Sequence, residues 1–162
     1  MAGIRTSTVQ TSLSFNVTGS GPPLVILHGL FGSGTNWRRI ADNLKHHWQV
    51  FTPDLANHGK SPWVTNMSYP AQARAVVQFI QQRALDRPVL LGHSMGGKIA
   101  MTVALTTQIK LRALVVVDIA PVSYQHSHGP LVRTLQQLDL TNLTSRQQAD
   151  QALVGGIPDR IL

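Results

Sequence analysis

Cysteine is absent from the 162-residue sequence, which excludes disulfide bonds and thiolate metal sites. No apolar run reaches about 18 residues, so the sequence predicts no membrane span. The first ten residues are polar and have no apolar h-region, so they do not resemble a secretory signal. From these absences we expect a cytoplasmic protein.

Charged residues make up only 13% of the sequence, most of them are basic, and glutamate is absent. The sequence has fourteen lysines and arginines and seven aspartates, which gives a formal net charge of +7. A basic excess can indicate a nucleic-acid partner, but here the cations are scattered and the longest contiguous pair is Arg38-Arg39. No aromatic residues interleave a basic stripe, and we expect no nucleic-acid partner.

Short apolar runs alternate with helical patterns along the chain. Strands are predicted at residues 13–17, 23–27, 48–51, 88–91 and 111–117. Helices are predicted at residues 36–46 and 97–107, and along the apolar face formed by Ala73, Val76, Val77, Ile80 and Ala84. This alternation is typical of an α/β fold with a mostly parallel sheet and helices on both faces.

Polar side chains follow four of the predicted strands, at His28, Asp54, Ser94 and Asp118. Ligand sites in parallel α/β sheets lie beyond the carboxyl ends of the strands. We therefore expect these four groups to converge at one edge of the sheet.

The segment Gly92-His93-Ser94-Met95-Gly96 matches the G-x-S-x-G pattern between a predicted strand and a predicted helix. Such a turn holds the serine in a strained backbone conformation, and side chains two residues away on either side would collide. The helix that follows directs N–H groups toward developing negative charge. Ser94 is thus a candidate nucleophile, and the alternative is a glycine-rich turn with a solvated serine.

A second motif, HGLFG at residues 28–32, follows an earlier strand. Acyl transfer needs two backbone donors for the tetrahedral oxyanion. The candidates are the N–H of Met95, directly after the nucleophile, and that of Leu30 in this loop. We expect His28 to brace the turn rather than to act as a catalyst.

These motifs resemble those of the α/β-hydrolase superfamily. Within it, they are most similar to the small bacterial esterases and thioesterases related to the mitochondrial α/β-hydrolase domain-containing protein 11. The resemblance extends from about Leu13 to Tyr124. It rests on four segments in order, residues 28–33, 54–62, 92–98 and 118–122.

The resemblance implies hydrolysis of short or medium acyl esters, or of acyl thioesters, as small-molecule substrates and without a metal or organic cofactor. It implies Ser94 as nucleophile, with Leu30 and Met95 as oxyanion donors. It implies Asp118 as the triad acid, although the superfamily more often places that acid one strand later. The alternative for Asp118 is a carboxylate that braces the turn at Pro121.

One residue departs from the family pattern, since Ala56 stands where the family usually has arginine. The neighbouring Asp54 and His58 lie in a loop that is usually structural in the family. We expect both to act as braces.

The triad order in this fold is nucleophile, acid, histidine. After Asp118 the sequence offers only His126 and His128, which fall too soon after the acid for the late loop that normally supplies the base. We therefore expect that the chain stops before the catalytic histidine.

Two parts are predicted, with residues 1–121 as the N-terminal part of a hydrolase core and residues 122–162 as the start of a helical cap. An apolar stripe of Leu131, Leu135 and Leu138 predicts one cap helix. Thr144 with Gln147 resembles a capping box that opens another.

Three hypotheses about function follow. The first is a serine esterase or thioesterase, of which these 162 residues alone have little or no activity. The second is a non-catalytic binding protein that uses the hydrolase pocket as a receptor surface. The third is another chemistry on the same scaffold, such as that of a lyase or a cofactor-free haloperoxidase. The sequence leaves the oligomeric state open.

Overall fold

The computed structural model describes residues 12–124 and 129–153. Its sheet has five strands in the order β1-β3-β2-β4-β5. The strands are β1 (Phe15–Thr18), β2 (Pro23–Leu27), β3 (Gln49–Pro53), β4 (Val89–His93) and β5 (Ala113–Val117). Strand β1 runs antiparallel to β3 and the remaining pairs are parallel, which confirms the mostly parallel sheet.

Three α-helices connect the strands: α1 (Arg38–Leu44), α2 (Tyr69–Gln82) and α3 (Met95–Thr106). A 3₁₀ helix over Gly34–Trp37 precedes α1, where a continuous helix was predicted. Ala84 was predicted on the apolar face of α2, which is wrong because α2 ends at Gln82 and Ala84 has a φ of 49°. None of the described helices is both long and apolar enough to span a membrane.

The two faces of β2 pack against different helices, because successive side chains of a strand point to opposite sides. Val25 and Leu27 join a cluster with buried residues of α2 and α3. Leu24 and Ile26 join a second cluster that includes Ala41 of α1. This arrangement confirms helices on both faces and fixes the carboxyl end of β2 between them.

Strand β5 has a different environment from β2. All five of its residues are exposed, and Leu114 through Val117 keep 36–39% of their surface in contact with solvent. Within the part of the chain that the structure describes, β5 pairs with β4 alone. One edge of an apolar strand is therefore open to solvent.

The contacts divide the chain into two compact units, with the boundary between Pro121 and Val122. The second unit contains α4 (Gly129–Gln136) and α5 (Arg146–Leu153), and its assignment as a cap stays a prediction. The Gln148 N–H donates to Ser145 Oγ at 3.2 Å, so the cap of α5 lies one residue later than the predicted Thr144. His126 and His128 lie outside the described residues.

Candidate active site

Ser94 occupies a sharp turn between β4 and α3, with φ 51° and ψ −118°. Its N–H donates to the carbonyl of Val117 in β5 at 3.0 Å, and its carbonyl accepts the N–H of Gly97 at 2.9 Å. A non-glycine residue in the left-handed region is strained and persists only where its surroundings hold it. The strained backbone predicted for Ser94 is confirmed.

Two glycines make this turn sterically possible. A Cβ on Gly92 would overlap the carbonyl oxygen of Gly96. A Cβ on Gly96 would overlap the carbonyl oxygen of Leu27 and lie 2.6 Å from that of His28. The prediction that both positions need glycine is confirmed, and the reason includes the carboxyl end of β2 as well as the turn itself.

The loop after β2 runs beside the serine. Its turn is closed by the Gly32 N–H, which donates to the Gly29 carbonyl at 3.1 Å, and a Cβ on Gly29 would lie only 3.4 Å from Ser94 Cβ. Leu30 lies in this turn, and Met95 is the first residue of α3, where helical N–H groups have no acceptor within the helix. The fold thus brings the segments of both predicted oxyanion donors to Ser94.

His28 is 1% exposed, and both of its ring nitrogens have partners. The Leu55 N–H donates to Nε2 at 3.0 Å, so the ring proton is on Nδ1 and faces the Gly29 carbonyl at 2.8 Å. Burial lowers the pKa of His28 below its ordinary value of 6.5. His28 is a neutral brace between two loops, as the sequence predicted.

Asp54 connects the loop after β2 to the loop after β3. Its two carboxylate oxygens accept the Gly34 N–H at 2.7 Å and the Lys60 N–H at 2.9 Å. The ring of His58 packs on that of His28 with centroids 5.1 Å apart, and its Nδ1 lies 2.9 Å from the Ala56 carbonyl. The predicted bracing roles of Asp54 and His58 are confirmed.

Asp118 directly follows β5 and has a φ of 56°. Its Oδ2 lies 3.6 Å from Nε2 of His93, and 81% of its side chain is exposed. The carbonyl of Val117 accepts the Ser94 N–H, so Asp118 directly follows a residue that contacts the turn. The fold therefore places Asp118 beside Ser94, while its role as the triad acid stays a prediction.

His93 is the residue of this site that the sequence pattern did not single out. It occupies a variable position of the G-x-S-x-G motif, and its ring meets Trp37 edge-on with centroids 6.1 Å apart. The sequence contains no signal for it, because its place follows from the strand register, in which the last residues of β4 and β5, His93 and Val117, are paired. A residue after Val117 is then close to His93.

A concavity of about 350 Å³ opens beside the loop after β2. Its apolar wall is formed by Leu30, Trp37 and Ile40, and its polar groups include Asn36 and His93. An apolar cavity with a few polar groups is typical of a small-molecule site. Trp37 and Ile40 were predicted only as one face of a helix, so their place in this wall follows from the fold.

The groups gathered here are a hydroxyl on a strained backbone, backbone N–H donors and a carboxylate, which are parts that acyl transfer uses. Among the described residues, no three histidine or aspartate side chains group closely enough to hold a metal ion.

The sequence pattern of the alpha/beta hydrolase fold matches residues 22–154. The chain belongs to the alpha/beta hydrolase fold family. That match includes the Ser94 turn, the loop after β2 and Asp118, so the site lies within the segment that the family shares.

Two curated relatives are similar to this chain in sequence. The chain is 42% identical over 141 residues to the sn-1-specific diacylglycerol lipase ABHD11 of Xenopus laevis, covering 82% of this chain and 45% of that protein. It is 35% identical over 128 residues to Esterase YbfF of Escherichia coli, covering 78% of this chain and 50% of that protein. The chain spans about half the length of the curated relatives that it matches.

A solved structure described as a marine microorganism esterase superposes with a TM-score of 0.83 at 38% identity. The superposition covers 93% of this chain and 60% of that one. The hydrolase fold is thus supported by structure as well as by sequence.

Proposed function

We propose that the protein is a serine hydrolase that cleaves short- or medium-chain acyl esters or thioesters through an acyl-serine intermediate on Ser94. The observation that carries this proposal is the backbone of Ser94, with φ 51° at the junction of a parallel strand and a helix. A fold keeps such strain only where neighbouring contacts enforce it, and strained residues cluster at functional sites.

In the proposed reaction, Ser94 Oγ attacks the acyl carbonyl while its proton passes to a histidine. The N–H groups of Leu30 and Met95 stabilise the oxyanion, and removing one such donor typically costs about 10²–10³ in rate. The imidazolium returns the proton to the departing alcohol or thiol, and water then releases the acid. Asp118 orients the imidazole and stabilises its charge.

We further propose that the 162 residues alone turn over esters slowly. His28 cannot supply the base, because the Leu55 N–H occupies its Nε2 and its Nδ1 faces Gly29. His93 contacts the carboxylate that would orient a separate imidazole. In a triad enzyme, loss of the base alone can reduce turnover by about 2 × 10⁶.

The apolar wall of Leu30, Trp37 and Ile40 suits the acyl part of a small ester. The printed names of the relatives, a diacylglycerol lipase and an esterase, support an ester as substrate. We propose that the protein acts on such a substrate in the cytoplasm, without a metal or organic cofactor and without a nucleic-acid partner.

Hydrolysis of p-nitrophenyl butyrate by the chain and its Ser94→Ala variant tests the proposal. We expect slow release of p-nitrophenol that is lost in Ser94→Ala and unchanged in His93→Gln. Release that survives Ser94→Ala would contradict the serine mechanism. Rapid turnover that depends on His93 would contradict the proposed slow turnover of these 162 residues.

A further inference from the structure

A second cavity, of about 650 Å³, lies at the opposite edge of the sheet from Ser94. Pro23 and Gln49, the first residues of β2 and β3, line it, whereas Ser94 follows the last residue of β4. Three arginines, Arg83, Arg87 and Arg112, also line this cavity. Nothing in the proposed hydrolase mechanism uses them.

Two of these arginines are held in place by aromatic rings. The guanidinium of Arg83 lies 4.5 Å from the ring centroid of Phe15, and that of Arg112 lies 5.7 Å from that of Trp48. A guanidinium within about 6 Å of a ring centroid is attracted to the face of the ring. This attraction favours the observed position of both side chains before any ligand binds.

Positive charge exceeds negative charge in this cavity. The one carboxylate in its lining, Asp86, lies 3.8 Å from Arg87, and both side chains are largely exposed. Within the described part of the chain, neither Arg83 nor Arg112 forms an ion pair with a carboxylate. Three cations with one anion leave a surplus of about two positive charges.

The loop that carries Asp86 and Arg87 is strained in two places. Ala84 has a φ of 49° and Arg87 a φ of 40°, although neither is glycine. The loop is fastened at both ends, by the Leu85 N–H to the Ile80 carbonyl at 3.1 Å and by the Arg112 N–H to the Pro88 carbonyl at 3.1 Å. The positive φ of Ala84 and the Leu85 bond form the Schellman motif that ends α2, and the two bonds hold the loop in place beside the arginines.

We propose that this cavity, which we call the arginine cleft, binds a phosphoryl group through Arg83 and Arg112. The planar fork of arginine matches phosphate oxygens with paired hydrogen bonds. A phosphomonoester carries about −1.5 to −2 charges at pH 7, which balances the surplus in the cleft. The volume exceeds that of a bare phosphate, so the ligand is a phosphorylated small molecule or a lipid headgroup with that group.

Calorimetric titration of the chain with inorganic pyrophosphate tests the arginine cleft. We expect saturable binding that weakens at least about tenfold in Arg83→Gln/Arg112→Gln, because two charge-assisted contacts are lost. Arg38→Gln/Arg39→Gln at the start of α1 also removes two positive charges, outside the cleft, and should change the Kd less than about twofold. Arg83→Lys/Arg112→Lys keeps the charge and, by losing the fork, should give an intermediate Kd.

Sedimentation with phosphatidic acid vesicles, against vesicles of phosphatidylcholine alone, distinguishes a lipid headgroup from a free phosphate compound. Arginine-dependent binding in either arm supports the cleft and identifies the source of the phosphoryl group. Absence of binding in both arms would overturn the proposal. Binding that falls equally in Arg38→Gln/Arg39→Gln and in Arg83→Gln/Arg112→Gln would also overturn it, since charge alone would then explain the effect.

Discussion

The conformation of Ser94 depends on atoms that belong to neighbouring residues. Its φ of 51° is compatible with the fold only because Gly92 and Gly96 leave room for carbonyl oxygens where side chains would otherwise be. The chemical identity of two glycines therefore determines where a hydroxyl points. This dependence makes the turn testable by adding single methyl groups.

A methyl group at Gly92 and one at Gly29 should have different effects. Gly92→Ala places its Cβ against the backbone of Gly96, which cannot move independently, and we expect a loss of about 1–3 kcal/mol in the free energy of unfolding. Gly29→Ala places its Cβ 3.1 Å from Nδ1 of the His93 side chain, which can rotate. Urea denaturation of both variants measures the difference.

The reactivity of Ser94 should separate the two variants further. Gly29→Ala crowds the space above Ser94, so we expect near-normal stability with slower release of p-nitrophenol. Equal destabilisation in both variants would contradict the packing that the structure gives to Gly29.

His28 should make stability depend on pH. Its pKa is lowered in the folded chain by burial, so below the ordinary value of 6.5 the unfolded chain binds more protons than the folded one. The stability that neutral His28 contributes is complete above pH 6.5 and is lost as the pH falls through the lowered pKa. Acidification from about pH 7.5 to about pH 5.5 should therefore destabilise the wild type.

Comparison with His28→Asn isolates this contribution. At about pH 7.5 the variant should be less stable than the wild type, because the bond from Leu55 is lost. The difference in unfolding free energy between wild type and variant should become smaller on acidification, as measured by urea denaturation at several pH values. A difference that stays constant would mean that His28 binds protons equally in the folded and the unfolded chain.

At the scale of elements, strand β2 shows how far the sequence pattern reaches. It was predicted at residues 23–27 and observed over Pro23–Leu27, because an apolar run ends at His28-Gly29. The start of α1 was missed, since the 3₁₀ helix there begins at Gly34, whose N–H donates to Asp54 twenty residues later. Local periodicity contains no information about such a bond.

The candidate site shows the same division between local and distant information. The Ser94 turn was predicted because its glycines and its serine all lie within residues 92–96. The contact of His93 with Asp118 was not, because it joins two strands whose register only the sheet defines. The place of Trp37 in the concavity likewise depends on how α1 packs on the sheet.

Asp54 connects the 3₁₀ helix to the loop after β3, and its removal should loosen both. Asp54→Asn keeps the shape but leaves one oxygen for two N–H donors, so we expect a loss of about 1–3 kcal/mol in the free energy of unfolding. Asp42→Asn makes the same change in an exposed ion pair with Lys45 and should cost at most about 0.5 kcal/mol. Similar losses in thermal denaturation of both variants would contradict the bracing role.

At the scale of the whole molecule, the sheet brings distant cations together. Arg83 and Arg87 lie in the loop between α2 and β4, Arg112 lies just before β5, and in sequence all three are part of a scattered basic excess. Composition could indicate a positive chain, but not a cleft, because the convergence follows from the common edge at which parallel strands begin.

The open edge of β5 should govern association of the chain. Its valines are 36–39% exposed, and an unpaired apolar strand is a template for pairing with another copy. We expect concentration-dependent self-association in sedimentation velocity, reduced by Val115→Lys. Leu105→Lys introduces the same charge at a residue of α3 that is 83% exposed, and should leave association unchanged. Equal behaviour of the two variants would exclude the β5 edge.

Labelling by a fluorophosphonate, located by mass spectrometry of the digested chain, measures directly whether Ser94 is an activated nucleophile. In a triad enzyme that has lost a triad member, oxyanion donors and binding leave a residual acceleration of about 10³–10⁴ over water. We expect an adduct on Ser94, formed faster than on exposed Ser20 or Ser68 and absent in Ser94→Ala. Labelling of Ser94 no faster than of those two serines would exclude Ser94 as an activated nucleophile and would favour a non-catalytic binding protein on this fold.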